Sequence, residues 1–237
     1  MAAPVVRFPI FLAVRILGVA LCALMLIWSV HFRGGLALVS ENRSLIFNVH
    51  PVLMVIGLLV LNGEAMLAYK NLSGTKNFKK LVHLSLQFLA LFLSIFGLWV
   101  VWKNRFDRGK ENFYSLHSWL GLLSLFLFGV QWAYGFVTFW YPGGTRNSRA
   151  RLLPWHAYLG SYIYALSVIT CITGFLERAT SLQTHQIISR YSTEAILINS
   201  MGILTVVLAG FVIIGVVSPV YRNGDALNGT GKKVLEP

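Results

Sequence analysis

Six apolar runs, near residues 9–31, 45–69, 79–103, 113–140, 154–178 and 194–217, constrain this chain more than any other feature. About 20 such residues in a helix span the hydrocarbon core of a bilayer, and runs of this length are too long for the buried helices of a soluble domain. Of 237 residues 56% are hydrophobic, and the mean hydropathy is +0.67. Little chain is left for a water-soluble domain. The sequence therefore predicts an all-α fold, a single six-helix transmembrane bundle over residues 9–218. The first run is longer than a signal-peptide core and has no small-x-small cleavage site, so it counts as a helix. The segment 219–237 is polar from Arg222 onward, with three glycines and two asparagines, and reads as a disordered tail.

A formal charge of +12 would suit nucleic acid, but its distribution points to a bilayer instead. With the N-terminus in the cytoplasm, 12 of the 20 lysines and arginines fall on that side. The segments 70–80 and 141–153 carry seven bases and no acid. That bias follows the positive-inside rule and places both termini in the cytoplasm. No nucleic-acid partner is expected.

Four histidines open four consecutive runs: His50 in Asn48-Val-His-Pro51, His83 in Lys79-Lys-Leu-Val-His83, His117 in Phe113-Tyr-Ser-Leu-His117 and His156 in Leu153-Pro-Trp-His156. They are 33, 34 and 39 residues apart, about one crossing plus a loop. Helices that cross in alternation put His50 with His117 at one membrane level and His83 with His156 at the other. Two imidazoles fill both axial positions of a haem iron and leave no open site for oxygen, which favours electron transfer. The pattern predicts two b haems per chain, held in a central four-helix core. Zinc would want three or four ligands at one level. Four unliganded histidines at matching depth would be costly in a membrane. There is no Cys-x-x-Cys-His for covalent attachment, and Cys22 and Cys171 fall at apolar helix positions as small buried side chains. His31 and His185 have no partner in the alternation and read as exposed loop residues.

Arg15, two turns into the first run, either snorkels to the surface or meets a haem propionate. On the second helix Gly57 and Glu64 follow His50 at intervals of seven, within about 40° of one face, with Pro51 in the first turn. Glu64 is read as balanced by the cytoplasmic bases. Gly97 lies 14 residues after His83, Gly135 18 after His117, and Gly174 18 after His156. Eighteen residues are five turns, roughly 27 Å. Each glycine thus returns to its histidine's face near the opposite level, where it would let a flat macrocycle approach the backbone. The sixth helix has no basic residue in its apolar part and reads as packing or subunit contact.

Lys79 and Lys80 precede His83 by four and three residues, which puts them on its helical face, with Lys76 one turn further out. Arg146, Arg149 and Arg151 precede His156 on the loop before it. Both walls of the cytoplasmic mouth are basic, as a small anionic donor would need. On the far side Lys103, Arg105, Arg108 and Lys110 form a loop before Tyr114, which lies one turn ahead of His117 and on its face. That makes a second, weaker anion site.

The stretches Phe47-Asn-Val-His-Pro51, Gly74-Thr-Lys-Asn77 with Lys79-Lys-Leu-Val-His83, Glu111-Asn-Phe-Tyr-Ser-Leu-His-Ser-Trp119, Tyr141-Pro-Gly-Gly-Thr-Arg-Asn-Ser-Arg149 and Pro154-Trp-His156 resemble the cytochrome b561 family. The resemblance covers residues 9 to 218 and is greatest to the plant ascorbate-reducible branch. It implies that His50 and His117 bind the non-cytoplasmic haem and His83 and His156 the cytoplasmic one. It also implies that Lys76, Lys80 and Arg149 bind cytoplasmic ascorbate and that Tyr114 lines the opposite substrate site. By the same resemblance the chain is an ascorbate-dependent transmembrane oxidoreductase. Such proteins pass electrons to monodehydroascorbate or ferric chelates, as homodimers, in an endomembrane such as the vacuolar one or in the plasma membrane. Lys80 is the expected proton relay and Tyr114 the point of electron exit. Where the family pattern has a histidine on the far-side loop, this chain has Arg105, an expected acceptor contact whose charge persists where histidine's is lost. A quinol-oxidising dihaem cytochrome b would instead want an apolar, lipid-accessible donor pocket. A non-redox dihaem sensor or assembly subunit is a third class, and stopped-flow reduction by ascorbate separates the three.

Overall fold

The computed structural model describes residues 9–218, and the expected tail at 219–237 lies outside them. Six helices follow one another: α1 Ile10–Phe32, α2 Arg43–Asn71, α3 Lys76–Phe106, α4 Leu116–Phe139, α5 Arg146–Thr184 and α6 Thr193–Val217. All six are long and apolar enough to cross a membrane, and no strand occurs among the described residues. The chain is a multi-pass integral membrane protein.

Helix starts are set by polar caps. Asn42, Thr75, Thr145 and Ser192 each accept a hydrogen bond from a backbone N–H two or three residues on, and Ser115 forms a capping box with Ser118. Apolar runs mark only the part of a helix that lies in lipid. α3 therefore begins at Lys76 rather than 79 and α5 at Arg146 rather than 154, so Arg146, Arg149 and Arg151 are helical, not on a loop. Pro51 lies inside its helix instead of in the first turn, and Pro154 also lies inside a helix. In the other direction α4 starts at Leu116 rather than 113, which leaves Tyr114 ahead of it.

Two stretches are wound wider, with π-type hydrogen bonding: Trp28–Phe32 at the end of α1 and Val55–Leu61 within α2. The second starts four residues after Pro51, which has no N–H to give the ladder. A π turn holds more residues than an α turn, so the seven-residue register expected from His50 to Glu64 slips. His50 and Gly57 face α3, whereas the Glu64 carboxylate lies 3.8 Å from Arg15 on α1. Arg15, half exposed, balances Glu64 in place of the cytoplasmic bases.

α2 packs on α3 and α4 on α5, while α1 lies along α6 and that pair covers α2 and α5. Leu21, Met25, Trp28, Leu59, Met201 and Val212 belong to the larger apolar cluster, between the outer pair and the inner helices. A smaller one, with Leu58, Ala90, Leu125, Phe128 and Ile163, joins the four inner helices at their centre. Three lysines tie helix ends together. Lys70 donates to the carbonyl oxygens of Gly215 (3.1 Å), Val216 and Ser218 (2.6 Å) at the end of α6. Lys79 donates to Tyr69 in the last turn of α2 (3.2 Å) and Lys80 to Phe139 at the end of α4 (2.9 Å). Unpaired carbonyls and the dipole make a helix C-terminus a favourable place for a cation. Lys79 and Lys80, expected side by side on the face of His83, thus serve two different neighbours.

Candidate functional site

His50 faces His117 at one end of the inner four helices, and His83 faces His156 at the other. The ring centroids are 6.2 Å and 6.1 Å apart, with planes crossed at 82° and 70°. An imidazole nitrogen bonds a transition metal at about 2 Å, so one ion shared between two such rings sets their centroids roughly 6 Å apart. Each pair has the spacing of two axial ligands on one iron. Among the described residues, no group of three His, Cys, Asp or Glu gathers as a zinc site would need.

The second nitrogen of each ring is also held. Nδ1 of His50 lies 3.1 Å from the carbonyl oxygen of Gly97, Nδ1 of His83 2.8 Å from that of Ala65, and Nδ1 of His117 2.9 Å from that of Thr170. A carbonyl only accepts, so Nδ1 carries the proton and Nε2 keeps a lone pair free for a metal. His156 differs. Its Nδ1 meets the side-chain amide of Gln131 at 3.0 Å, and the same amide donates to the His156 carbonyl oxygen at 2.7 Å. The signal that marks Gln131 in the sequence is a lone amide in an apolar run, 14 residues after His117; histidine and charge patterns do not find it.

The glycines serve the imidazoles. A Cβ on Gly135 would meet Cε1 of His156 at 2.9 Å, and one on Gly174 would meet Cε1 of His117 at 2.8 Å. Each notch admits the histidine of the facing helix rather than the expected macrocycle, because α4 and α5 touch along these faces. Gly97 acts through its backbone, bringing its carbonyl to His50. Gly57 lets α2 approach α3, where a Cβ would meet Ser94 at 2.8 Å and the Ala90 carbonyl oxygen at 2.9 Å.

At the His83/His156 end, Lys80 also sits 5.5 Å over the Trp140 ring. Phe139, whose carbonyl Lys80 caps, lies edge-on to His156 at 5.2 Å, and Tyr69 lies 5.7 Å from His83. Lys80 is therefore one residue removed from a histidine of the opposite wall. Lys76 and Arg149, on the first turns of α3 and α5, are exposed.

At the His50/His117 end, Arg105 stands in the last turn of α3 and not on a loop. Its Nε and Nη2 donate to the Glu111 carbonyl oxygen at 2.9 and 2.5 Å, and its guanidinium lies 5.2 Å from the Tyr114 ring. Tyr114 is exposed and precedes α4, so it does not share a helical face with His117. It nonetheless lines one cavity together with Arg105, His50 and His117. Arg178 on α5 reaches the same cavity. A charge count includes Arg178 but gives no sign of this placement. His31 and His185 are exposed, and Cys22 and Cys171 are free.

Comparison with known proteins fits this geometry. The family described as eukaryotic cytochrome b561 matches residues 49–182. Transmembrane ascorbate ferrireductase 2 of Arabidopsis thaliana is 64% identical over 228 residues, 96% of this chain and 99% of its own length. Transmembrane ascorbate ferrireductase 1 of the same plant is 46% identical, over 84% of this chain and 82% of its own. Ascorbate-specific transmembrane electron transporter 1 of Zea mays is 42% identical, over 90% of each.

Proposed function

The chain belongs to the eukaryotic cytochrome b561 family, and from that premise we propose that it carries electrons across a membrane from cytosolic ascorbate to monodehydroascorbate or a ferric chelate on the other side. The observation that carries this reading is the pair of facing imidazoles at each end of the inner helices. Two b haems per chain, one between His50 and His117 and one between His83 and His156, would supply one-electron carriage when bound. The protein's own part is to hold four imidazoles with Nε2 inward, to keep the centre of the bundle apolar, and to present a different polar surface at each end.

The positive-inside rule places the His83/His156 end in the cytoplasm with both termini. There Lys76, Lys80 and Arg149 attract the ascorbate anion. The Lys80 ammonium has three N–H donors, and one already goes to Phe139. The remaining two orient the donor, and Lys80 relays the proton that ascorbate loses to water. At the opposite end Tyr114 and Arg105 receive the acceptor, the guanidinium drawing an anion to the phenol ring. The protein acts as a homodimer in an endomembrane or the plasma membrane.

Lys80→Ala and Arg149→Ala should each slow reduction by ascorbate by roughly ten- to a hundredfold, the loss of one charge-assisted contact worth about 1.5–3 kcal/mol. Reduction by dithionite should be unchanged. Unaltered ascorbate kinetics in both variants would place the donor site elsewhere.

A further inference from the structure

Two arginines and one glutamate meet inside the protein at the His50/His117 end. The Glu194 carboxylate is buried, its side chain 6% exposed, and both oxygens are taken. Trp28 Nε1 donates to Oε1 at 2.9 Å, and Arg33, 13% exposed, donates to Oε2. Arg178 has no acidic partner of its own among the described residues. Its guanidinium lies 5.6 Å from the ring of Trp28 and 5.0 Å from that of Phe47, and its Nε is out of contact with solvent and bonds to nothing. Glu177 is its chain neighbour on α5, and adjacent residues on a helix do not face each other. Trp28 and Arg33 take the Glu194 carboxylate, and Arg178 is left without a paired anion among the described residues. An unmatched charge inside a membrane protein is costly, and such groups find a counter-ion.

Position says what the counter-ion is. Arg178 follows Gly174 by one turn of α5, and Gly174 is the notch that admits the His117 ring. The guanidinium lines the cavity that His50 and His117 line. A planar fork of donors matches a carboxylate better than any other common anion. We infer that Arg178 binds a propionate of the haem held by His50 and His117, with the rings of Trp28 and Phe47 against its guanidinium and Glu194 holding Trp28 in place. This rests on the assignment of a haem to that histidine pair. The same fork could take a carboxylate from a dissolved acceptor, but a residue one turn from the His117 notch, on the cavity that His50 and His117 line, is placed for a group that stays bound between those rings.

Full-length protein with its natural haem complement tests the assignment, produced with haem labelled by 13C at the propionate carboxyls. In Arg178→Met, the labelled carboxylate bands of the oxidised-minus-reduced infrared spectrum shift. The midpoint potential of one haem falls while that of the other stays. Arg178→Lys keeps the charge and restores most of both effects. Bands and potentials identical to the parent's in Arg178→Met would overturn the proposal. So would unchanged bands with a raised KM for ferric citrate, which would assign Arg178 to the acceptor. If Arg178→Met does not fold, Arg178→Gln takes its place, since it keeps a polar side chain but removes the charge: the labelled bands must shift and the potential of one haem must fall. A pyridine haemochrome ratio of one haem per chain that His50→Ala leaves intact would instead remove the underlying haem assignment.

Discussion

His156 depends on a side chain where the other three histidines depend on main-chain carbonyls. Backbone acceptors at Gly97, Ala65 and Thr170 are fixed by their helices, whereas the Gln131 amide is free to turn about its own bonds. The Gln131 amide nitrogen donates to Nδ1 and to the His156 carbonyl oxygen, so Nδ1 accepts here where it donates in the other three rings, and the partner of a metal-binding imidazole tunes its orientation and basicity. Gln131→Leu keeps the volume and removes the donor. It should lower the midpoint potential of one haem only, or weaken the binding of that haem roughly 10- to 100-fold, and Gln131→Glu, which puts an anionic acceptor where the donor stood, should shift that potential further in the same direction. Equal potentials in parent and both variants would show that Gln131 has no hold on the ring. At this scale the histidines were legible because a titratable ring in an apolar run stands out. Gln131, Trp28 and Arg178 were not, since their roles depend on which side chain of another helix they meet.

The helix pair α4 and α5 is built on reciprocal notches, each glycine receiving the other helix's histidine. The 18-residue spacing was visible in the sequence, but its meaning was not, because spacing gives the face of a helix and not what touches that face. Gly174→Ala would press a methyl on His117 Cε1, and Gly135→Ala one on His156 Cε1. Overpacking of this kind costs typically about 1–3 kcal/mol. Here the ring can yield only by leaving its hydrogen bond, so Gly174→Ala should deplete the haem of the His50/His117 pair and Gly135→Ala that of the His83/His156 pair. Separate haem quantitation with Gly202→Ala as control checks this, since a Cβ at Gly202 meets nothing. Full occupancy in both variants would mean that the notches are not needed. Helix ends teach a related lesson. Six crossings were evident from the apolar runs, yet the first turns of α3, α4 and α5 follow Thr75, Ser115 and Thr145. The π turns of α2 then break the register that a uniform 100° per residue implies.

Across the whole molecule, α4 and α5 give the same separation between the two histidine pairs. On α5, His156 and the notch for His117 are 18 residues apart, and on antiparallel α4, His117 and the notch for His156 are also 18 apart. Each spacing is roughly 27 Å, nearly the ~30 Å thickness of a hydrocarbon core. Each pair therefore lies near one membrane surface, with Leu58, Leu125, Phe128 and Ile163 packed among the inner helices. A donor at one end cannot reach the other, so transfer must be vectorial. The two ends also differ in kind, with Lys76, Lys80 and Arg149 at one and Arg105 with Tyr114 at the other. In sealed vesicles containing the protein in one known orientation, ascorbate supplied to the Lys80 side should reduce ferric citrate confined to the Arg105 side. Either His50→Ala or His83→Ala should abolish that transfer. After pre-reduction, Arg105→Ala and Tyr114→Phe should slow reoxidation by ferric citrate and leave the rate of ascorbate reduction unchanged. Because arginine keeps its charge across neutral pH, the reoxidation rate of the parent should vary little between about pH 6 and 8, apart from changes in the acceptor itself. If both variants reoxidise at the parent rate yet accept electrons from ascorbate more slowly, the two ends have been assigned the wrong way round.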